Sequence, residues 1–257
     1  MRMSHGWSQP LETAIRDIDT CLYQYLAAQQ LTDFADSGLV SMLVRSSREQ
    51  GAECDHRSLR DQILTLFFAG HETSATSLSW LHYLLSQHPN VRAKVRAEVD
   101  RVIGKRLPTM ADLDELHYTE QVVNETLRLY SPIHSISRVA LEDDTLGGYR
   151  IPAGATIYVS LYATHRLPSH WPDPDRFDPD RFAPEQNERR QRFAFIPFAA
   201  GHRNCIGGTA AIVELKLAVA CLAQRYELDL APGQRVECAA GTTMYPRYGM
   251  NMLVRPV

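Results

Sequence analysis

Phe198-Ala199-Ala200-Gly201-His202-Arg203-Asn204-Cys205-Ile206-Gly207 places one cysteine in a glycine-bounded loop directly before an apolar segment. If that segment is helical, the cysteine stands at a helix N-terminus. Unsatisfied backbone N–H groups and the positive end of the helix dipole stabilise a thiolate there. Such a sulfur is a soft metal ligand. Gly201 and Gly207 open backbone conformations closed to other residues and allow close approach of a flat partner. Phe198 can cover one side of the sulfur, and Arg203, two residues before it, can meet an acidic group. Taken by itself, the loop reads equally as a free cysteine packed beside a turn.

The rest of the chain narrows the class. With 257 residues, 44% of them apolar and 22% charged, it has the composition of a globular protein with a sizeable core. A net charge of -3 offers nothing to nucleic acid or to an anionic membrane surface. The five cysteines, at 21, 54, 205, 221 and 238, are odd in number and irregular in spacing. They suggest a reducing, cytoplasmic setting and not a disulfide framework. No apolar run approaches the roughly 20 residues that a transmembrane helix needs, and the first residues lack the apolar core of a signal peptide.

Periodicity and punctuation predict a mainly α fold with a minor β part, in one domain over residues 1–257. Helices are expected at 11–30, 37–45 and 57–87. The last is apolar on nearly every face around Ile63, Leu64, Leu66, Phe67 and Phe68, the mark of a buried central helix. His88-Pro89 ends it, and Pro89 opens another helix that Gly104 caps. A further helix spans 116–130, stopped by Ser131-Pro132. A hairpin is expected over 146–162 around an Ile151-Pro152-Ala153-Gly154 turn. Residues 168–197 form an irregular proline- and aromatic-rich stretch, and long segments of that kind are usually functional or tightly packed. A helix over 206–226 and short strands complete the chain.

Three further groups carry chemistry. On the long helix, Ala69, Gly70 and Thr73 share one face, where two small residues beside a hydroxyl leave room for something flat. The same spacing also suits a helix–helix contact. Thr73 can bond back onto the carbonyl of residue 69 and loosen the turn. Glu125 and Arg128 stand three apart on one helical face, which alone reads as a surface ion pair. Arg138 reads as an exposed strand arginine. Among other chemistries, His71-Glu72 lacks the second histidine of a zinc-peptidase helix, and no phosphate loop or dinucleotide fingerprint is present. His165 and His170 read as satisfied loop histidines.

Phe-x-x-Gly-x-Arg-x-Cys-x-Gly at 198–207, Ala69-Gly70-His71-Glu72-Thr73, Glu125-x-x-Arg128 and Phe177-Asp178-Pro179-Asp180-Arg181-Phe182 occur in this order. Together they resemble the cytochrome P450 family of haem-thiolate monooxygenases. That resemblance implies haem b as cofactor and Cys205 as the axial ligand of its iron. It also implies that Ala69, Gly70, Phe198, Gly201 and Gly207 lie against the cofactor, and that Arg138 and Arg203 pair with its propionates. Glu72 and Thr73 would deliver protons to bound dioxygen, Thr73 positioning water and Glu72, a buried acid, feeding the relay. Glu125, Arg128 and Arg181 would form a structural triad, with Pro174-Asp175-Arg176-Phe177 a near-duplicate of the element that supplies Arg181. Phe67, Ile133, Ile136 and Thr243 lie where family members touch an apolar organic substrate.

The resemblance covers only the C-terminal part of a typical member: the N-terminal sheet strands and early helices of the fold have no counterpart here. With no flavin or nicotinamide domain in the chain, electrons are expected from a separate ferredoxin- or flavodoxin-like protein. Arg189, Arg190, Arg192 and Lys216 flank the cysteine loop and offer such a partner a basic rim. The rival expectations are a peroxide-driven hydroxylase and a haem-binding remnant without autonomous activity, with apolar surface exposed where other elements would pack.

Overall fold

Proline and glycine delimit the helices much as their backbone chemistry requires. The structure, a computed structural model, describes residues 8–31, 38–49 and 56–257. The chain divides into two units, residues up to Ala69 and from Gly70 onward, and each is taken by itself. In the first lie α1 (Ser8–Leu31), α2 (Leu39–Glu49) and the opening turns of α3 (His56–Gln87). Val44 of α2 and Leu59 of α3 form a small core with Val40, Leu43 and Ile63 packed against it. Arg60 Nε donates to Asp19 Oδ1 at 2.6 Å, tying α3 to α1.

α3 is not the uniformly buried helix expected from its composition. Phe67 and Phe68 are each 60% exposed, and the residues through Glu72 remain exposed. Within the second unit, burial on α3 begins at Ser74 and is deepest at Trp80, Leu81, Leu84 and Leu85. The physical reason lies within the second unit, where Leu81, Leu84 and Leu85 pack into the core formed with the other helices. An apolar composition records what a helix can bury, while a neighbouring surface decides whether it does.

The second unit is built on α4 (Pro89–Val102), α5 (His117–Leu129) and α8 (Gly208–Ala223) against the end of α3. Pro89 takes the first turn of α4, and Gly104 (φ +64) closes it by donating its N–H to Val99 O at 3.2 Å. The N-terminus of α5 is capped from across the core. Glu98 of α4 accepts the Tyr118 and Thr119 N–H groups at 2.7 and 2.8 Å, placing a carboxylate on the positive end of the helix. Val95, Val99, Val122, Val123, Leu127, Leu215 and Val219 fill the space between these helices.

Among the described residues the sheets are four antiparallel pairs of strands. β1 (Ser135–Val139) pairs with β4 (Thr156–Ser160), and β2 (Asp144–Leu146) with β3 (Tyr149–Ile151). The hairpin expected over 146–162 is therefore corrected. Its Pro152–Gly154 turn exists, but the strands it joins pair elsewhere. Gly147 and Gly148 both have positive φ, the geometry that suits strand twist in a two-residue hairpin, so β2 closes on β3. β4 is then left to pair with β1, with Ile136 opposite Val159.

α6 (Leu161–Thr164), a 3-10 turn at Pro179–Phe182 and α7 (Pro184–Arg189) punctuate the irregular stretch that follows. Trp171, Phe182 and Ala194 form its own small core. After α8, β5 (Tyr226–Leu230) pairs with β8 (Met252–Pro256), and β6 (Cys238–Ala240) with β7 (Met244–Pro246). The predicted helix to 226 stops at Ala223, because Tyr226 already belongs to β5. Among the described residues no helix is long and apolar enough to cross a membrane.

Candidate active site

The loop around Cys205 is held by its own backbone. Cys205 N–H donates to Phe198 O at 2.9 Å, closing the segment on itself, and a single 3-10 turn at Gly201–Arg203 lies within it. Ala199 (φ 60) and Gly201 (φ 76) take left-handed conformations to make this closure. Gly207 is the N-cap of α8 and sits where an added Cβ would stand 3.9 Å from Cys205 Sγ. The sulfur itself is exposed at the start of the helix. The Phe198 ring lies against Gly208, where a Cβ would come within 3.2 Å, and packs on the helical core. An exposed sulfur at the positive end of a helix, with small residues beside it, has the chemistry of a metal ligand. Arg203 is exposed and has no hydrogen-bond or ion-pair partner among the described residues.

On α3, Ala69 and Gly70 are exposed and Thr73 is half-buried. A Cβ at Gly70 would meet nothing within 4 Å, so this face of the helix is open. Ser77 Oγ donates to the Thr73 carbonyl at 2.8 Å, a back-bond of the kind that bends or loosens a helix. Glu72 is exposed, and this corrects the expectation of a buried acid. Its Oε1 accepts the Thr243 hydroxyl at 2.6 Å. Thr243 is 2% exposed, so its side chain is committed to Glu72 and does not line an open surface as expected for a substrate contact. Beside it, Ser74 donates to Glu214 Oε2 of α8 at 2.7 Å.

Glu125, Arg128 and Arg181 come together. Arg128 Nε and Nη2 donate to Glu125 Oε2 and Oε1 at 2.6 and 2.8 Å, a bidentate pair with both side chains fully buried. Arg128 Nη1 also donates to the carbonyls of His165 and Pro174, and Nη2 to that of Arg176. Glu125 Oε1 further accepts the Asp178 N–H at 2.9 Å, with Arg181 Nε at 3.6 Å as an ion pair. Arg176, in the near-duplicate element, contributes its carbonyl while its side chain points to solvent. Burial pushes the Glu125 carboxyl above its ordinary value, and the Arg128 hydrogen bonds oppose that push.

Arg138 lies exposed on β1 opposite Ile157, its Nη1 donating to the Ser137 carbonyl. Ile133 and Ile136 are half-buried at the start of the same strand region. His165 is fully buried; its Nε2 accepts the Ile196 N–H at 3.0 Å, and burial followed by the Arg128 charge lowers its pKa to about 4. Of the expected basic rim, Arg189 and Arg192 are exposed. Arg190 is half-buried over the Trp171 and Phe182 rings. Lys216 is corrected: it is buried, donating to Leu113 O and Glu120 Oε2, and offers no surface charge to a partner. The Thr243–Glu72 bond was invisible in the sequence because 171 positions separate its ends.

Comparisons with known proteins bear on the family and the fold. The family model described as Cytochrome P450 matches residues 12–249. The protein LUTEIN DEFICIENT 5, chloroplastic, of Arabidopsis thaliana is 41% identical over 208 residues, covering 79% of this chain and 35% of its own length. Cyclooctat-9-en-7-ol 5-monooxygenase of Streptomyces melanosporofaciens is 40% identical over 201 residues, 77% of this chain and 44% of its own. The crystal structure of a cytochrome P450DA mutant heme domain superposes with a TM-score of 0.89 at 29% identity. It covers 98% of this chain, which spans 56% of that one. The chain thus spans less than half the length of these two curated relatives. Ordered motifs, family model and superposed fold coincide, and the chain belongs to the cytochrome P450 family, whose cofactor is haem b.

Proposed function

We propose that this chain is the thiolate-bearing part of a monooxygenase that places one atom of dioxygen into an apolar organic substrate. The observation that carries the reading is the exposed Cys205 sulfur at the N-terminus of α8, in a loop closed by the Cys205 N–H to Phe198 O bond. The donor set suits a haem. Cys205 would hold it through a soft sulfur, Gly207 leaves space beside that sulfur, and Gly70 leaves α3 open to a flat group. Arg203 and Arg138, both exposed and without a carboxylate partner among the described residues, supply guanidinium forks for propionates. When bound, the haem supplies dioxygen activation, to which a thiolate ligand contributes electron density.

The protein's own residues handle position and protons. Cys205 anchors the cofactor, and Phe198 shields the loop beside it. Thr73, half-buried on the open helical face, orients water, and the exposed Glu72 carboxylate exchanges protons with solvent. The Glu125–Arg128–Arg181 cluster keeps the irregular stretch docked on α5 and does no chemistry. Electrons come from a ferredoxin- or flavodoxin-like protein, for which Arg189 and Arg192 are the exposed basic residues near the loop. A relative named as a 5-monooxygenase supports the reaction class.

The test is the absorption spectrum of the purified chain, expressed with haem supplied, after reduction and CO binding. A thiolate-type red-shifted Soret band that disappears in Cys205→Ser is expected. If no haem is retained, autonomous activity of these 257 residues is excluded. Exposed Phe67 and Phe68 favour a second reading, a haem-binding remnant that needs further polypeptide to function. Turnover with peroxide but not with a reduced donor protein would instead identify a peroxide-driven hydroxylase.

A further inference from the structure

Glu72 and Thr243 differ in how firmly the structure holds them. Thr243 occupies the turn between β6 and β7, where Gly241 N–H donates to Thr243 O at 2.9 Å. The next residue is clamped from two sides. Met244 N–H donates to Pro132 O at 2.8 Å, and Met244 O accepts the buried Trp80 Nε1 at 2.9 Å. Trp80 in turn stacks on Tyr130, with ring centroids 4.0 Å apart and planes 6° from parallel. The Thr243 hydroxyl is therefore a fixed point, 2% exposed. Glu72, by contrast, is an exposed residue with three freely rotating side-chain torsions. Among the described residues, its carboxylate makes one hydrogen bond and no ion pair, and the partner is Thr243.

We propose that Thr243 is a positioning residue for Glu72: its hydroxyl selects one orientation of the carboxylate and leaves the second oxygen open to solvent. This rests on the monooxygenase reading given above, in which Glu72 moves protons beside Thr73. The chemistry favours a hydroxyl at this point. It donates to the Glu72 carboxylate, and the same oxygen accepts when the acid carries its proton. One fixed neighbour can thus hold the side chain with or without the proton. The bond leaves Oε2 with no partner among the described residues, as proton exchange with water requires. A purely structural clamp is unnecessary here, because Met244 already ties this turn to α3 and to the segment after α5 through two hydrogen bonds.

The experiment has two arms on the full chain. The first is a double-mutant cycle in urea, without haem, using Thr243→Val, Glu72→Ala and both together. The unfolding equilibrium constants should depart from multiplicativity by about 5-fold, the size of one hydrogen bond. Multiplicative constants would overturn the proposal. The second arm uses the haem-loaded chain with a reduced donor protein and measures product formed per electron across pH. Thr243→Val should lower it roughly ten-fold and flatten the pH profile as Glu72→Gln does, while Thr243→Ser restores both. If Glu72→Gln alters the profile and Thr243→Val does not, the positioning role falls and the monooxygenase reading stands. If the unsubstituted chain forms no product at all, autonomous monooxygenase activity falls and takes the catalytic role of Thr243 in this chain with it, whatever the cycle shows.

Discussion

Arg128 and Glu125 face each other three residues apart on α5, joined by two hydrogen bonds of 2.6 and 2.8 Å with neither side chain exposed. The same guanidinium accounts for three backbone carbonyls of the irregular stretch, at His165, Pro174 and Arg176. Arg128 is thus the point where a segment with little regular secondary structure is fastened to the helical core.

Removing one member of this pair leaves the other charge buried and uncompensated. Arg128→Leu and Glu125→Leu should each lower the unfolding free energy by about 3–5 kcal/mol in denaturant titrations. Arg181→Ala should cost about 1 kcal/mol or less, since Arg181 approaches Glu125 only to 3.6 Å. A smaller loss at Arg128 than at Arg181 would show that the fastening is misassigned.

Acid should destabilise the protein through His165. Its imidazole is held neutral, with a pKa of about 4 against an ordinary 6.5, first by burial and then by the Arg128 charge. Between those values the unfolded chain binds the additional proton, so unfolding is favoured as pH falls. The contribution is complete above pH 6.5 and is lost on descending toward pH 4. A shift of this size corresponds to roughly 3 kcal/mol. Stability curves at pH 7, 5.5 and 4.5 should be flatter for His165→Gln, which keeps an acceptor for the Ile196 N–H. Equal pH dependence in the two proteins would count against this account.

Cys205→Ser should separate ligation from folding. The side chain is exposed, so the change should move the unfolding free energy by less than about 0.5 kcal/mol. Haem retention and the thiolate-type spectrum should both be lost. Visible spectroscopy and a haem-free melt on the same preparation test the two halves of this expectation.

Two glycines should respond in opposite senses. Gly70 lies within α3 and a Cβ there meets nothing within 4 Å, so Gly70→Ala should raise the stability of the haem-free chain by up to about 1 kcal/mol. Gly208→Ala drives a methyl to 3.2 Å from the Phe198 ring and should cost about 1–3 kcal/mol. Matched thermal melts of the two variants decide it.

Much of the secondary structure was legible. Pro89 and Gly104 bracket α4 at its observed ends, because proline lacks an N–H and glycine accepts φ +64. The spacing of Glu125 and Arg128 showed that they share a helical face, and the choice of Arg181 over Arg176 as third member agrees with the geometry. Burial was less legible. The apolar stretch Ile63–Phe68 suggested a buried helix, yet Phe67 and Phe68 stand exposed. Lys216 reads as a surface cation beside the cysteine loop, yet it is buried on Glu120.

The cysteine loop, the proline- and glycine-marked ends of α4 and the shared helical face of Glu125 and Arg128 follow from sequence alone, because each rests on residues close together along the chain. Other features needed the tertiary structure: full burial of Glu125 and Arg128, β4 pairing with β1 and not β3, and the Thr243 hydroxyl seated on Glu72. Local periodicity states which side chains share a face. What covers that face depends on contacts between segments far apart in the chain, and packing alone selects among them.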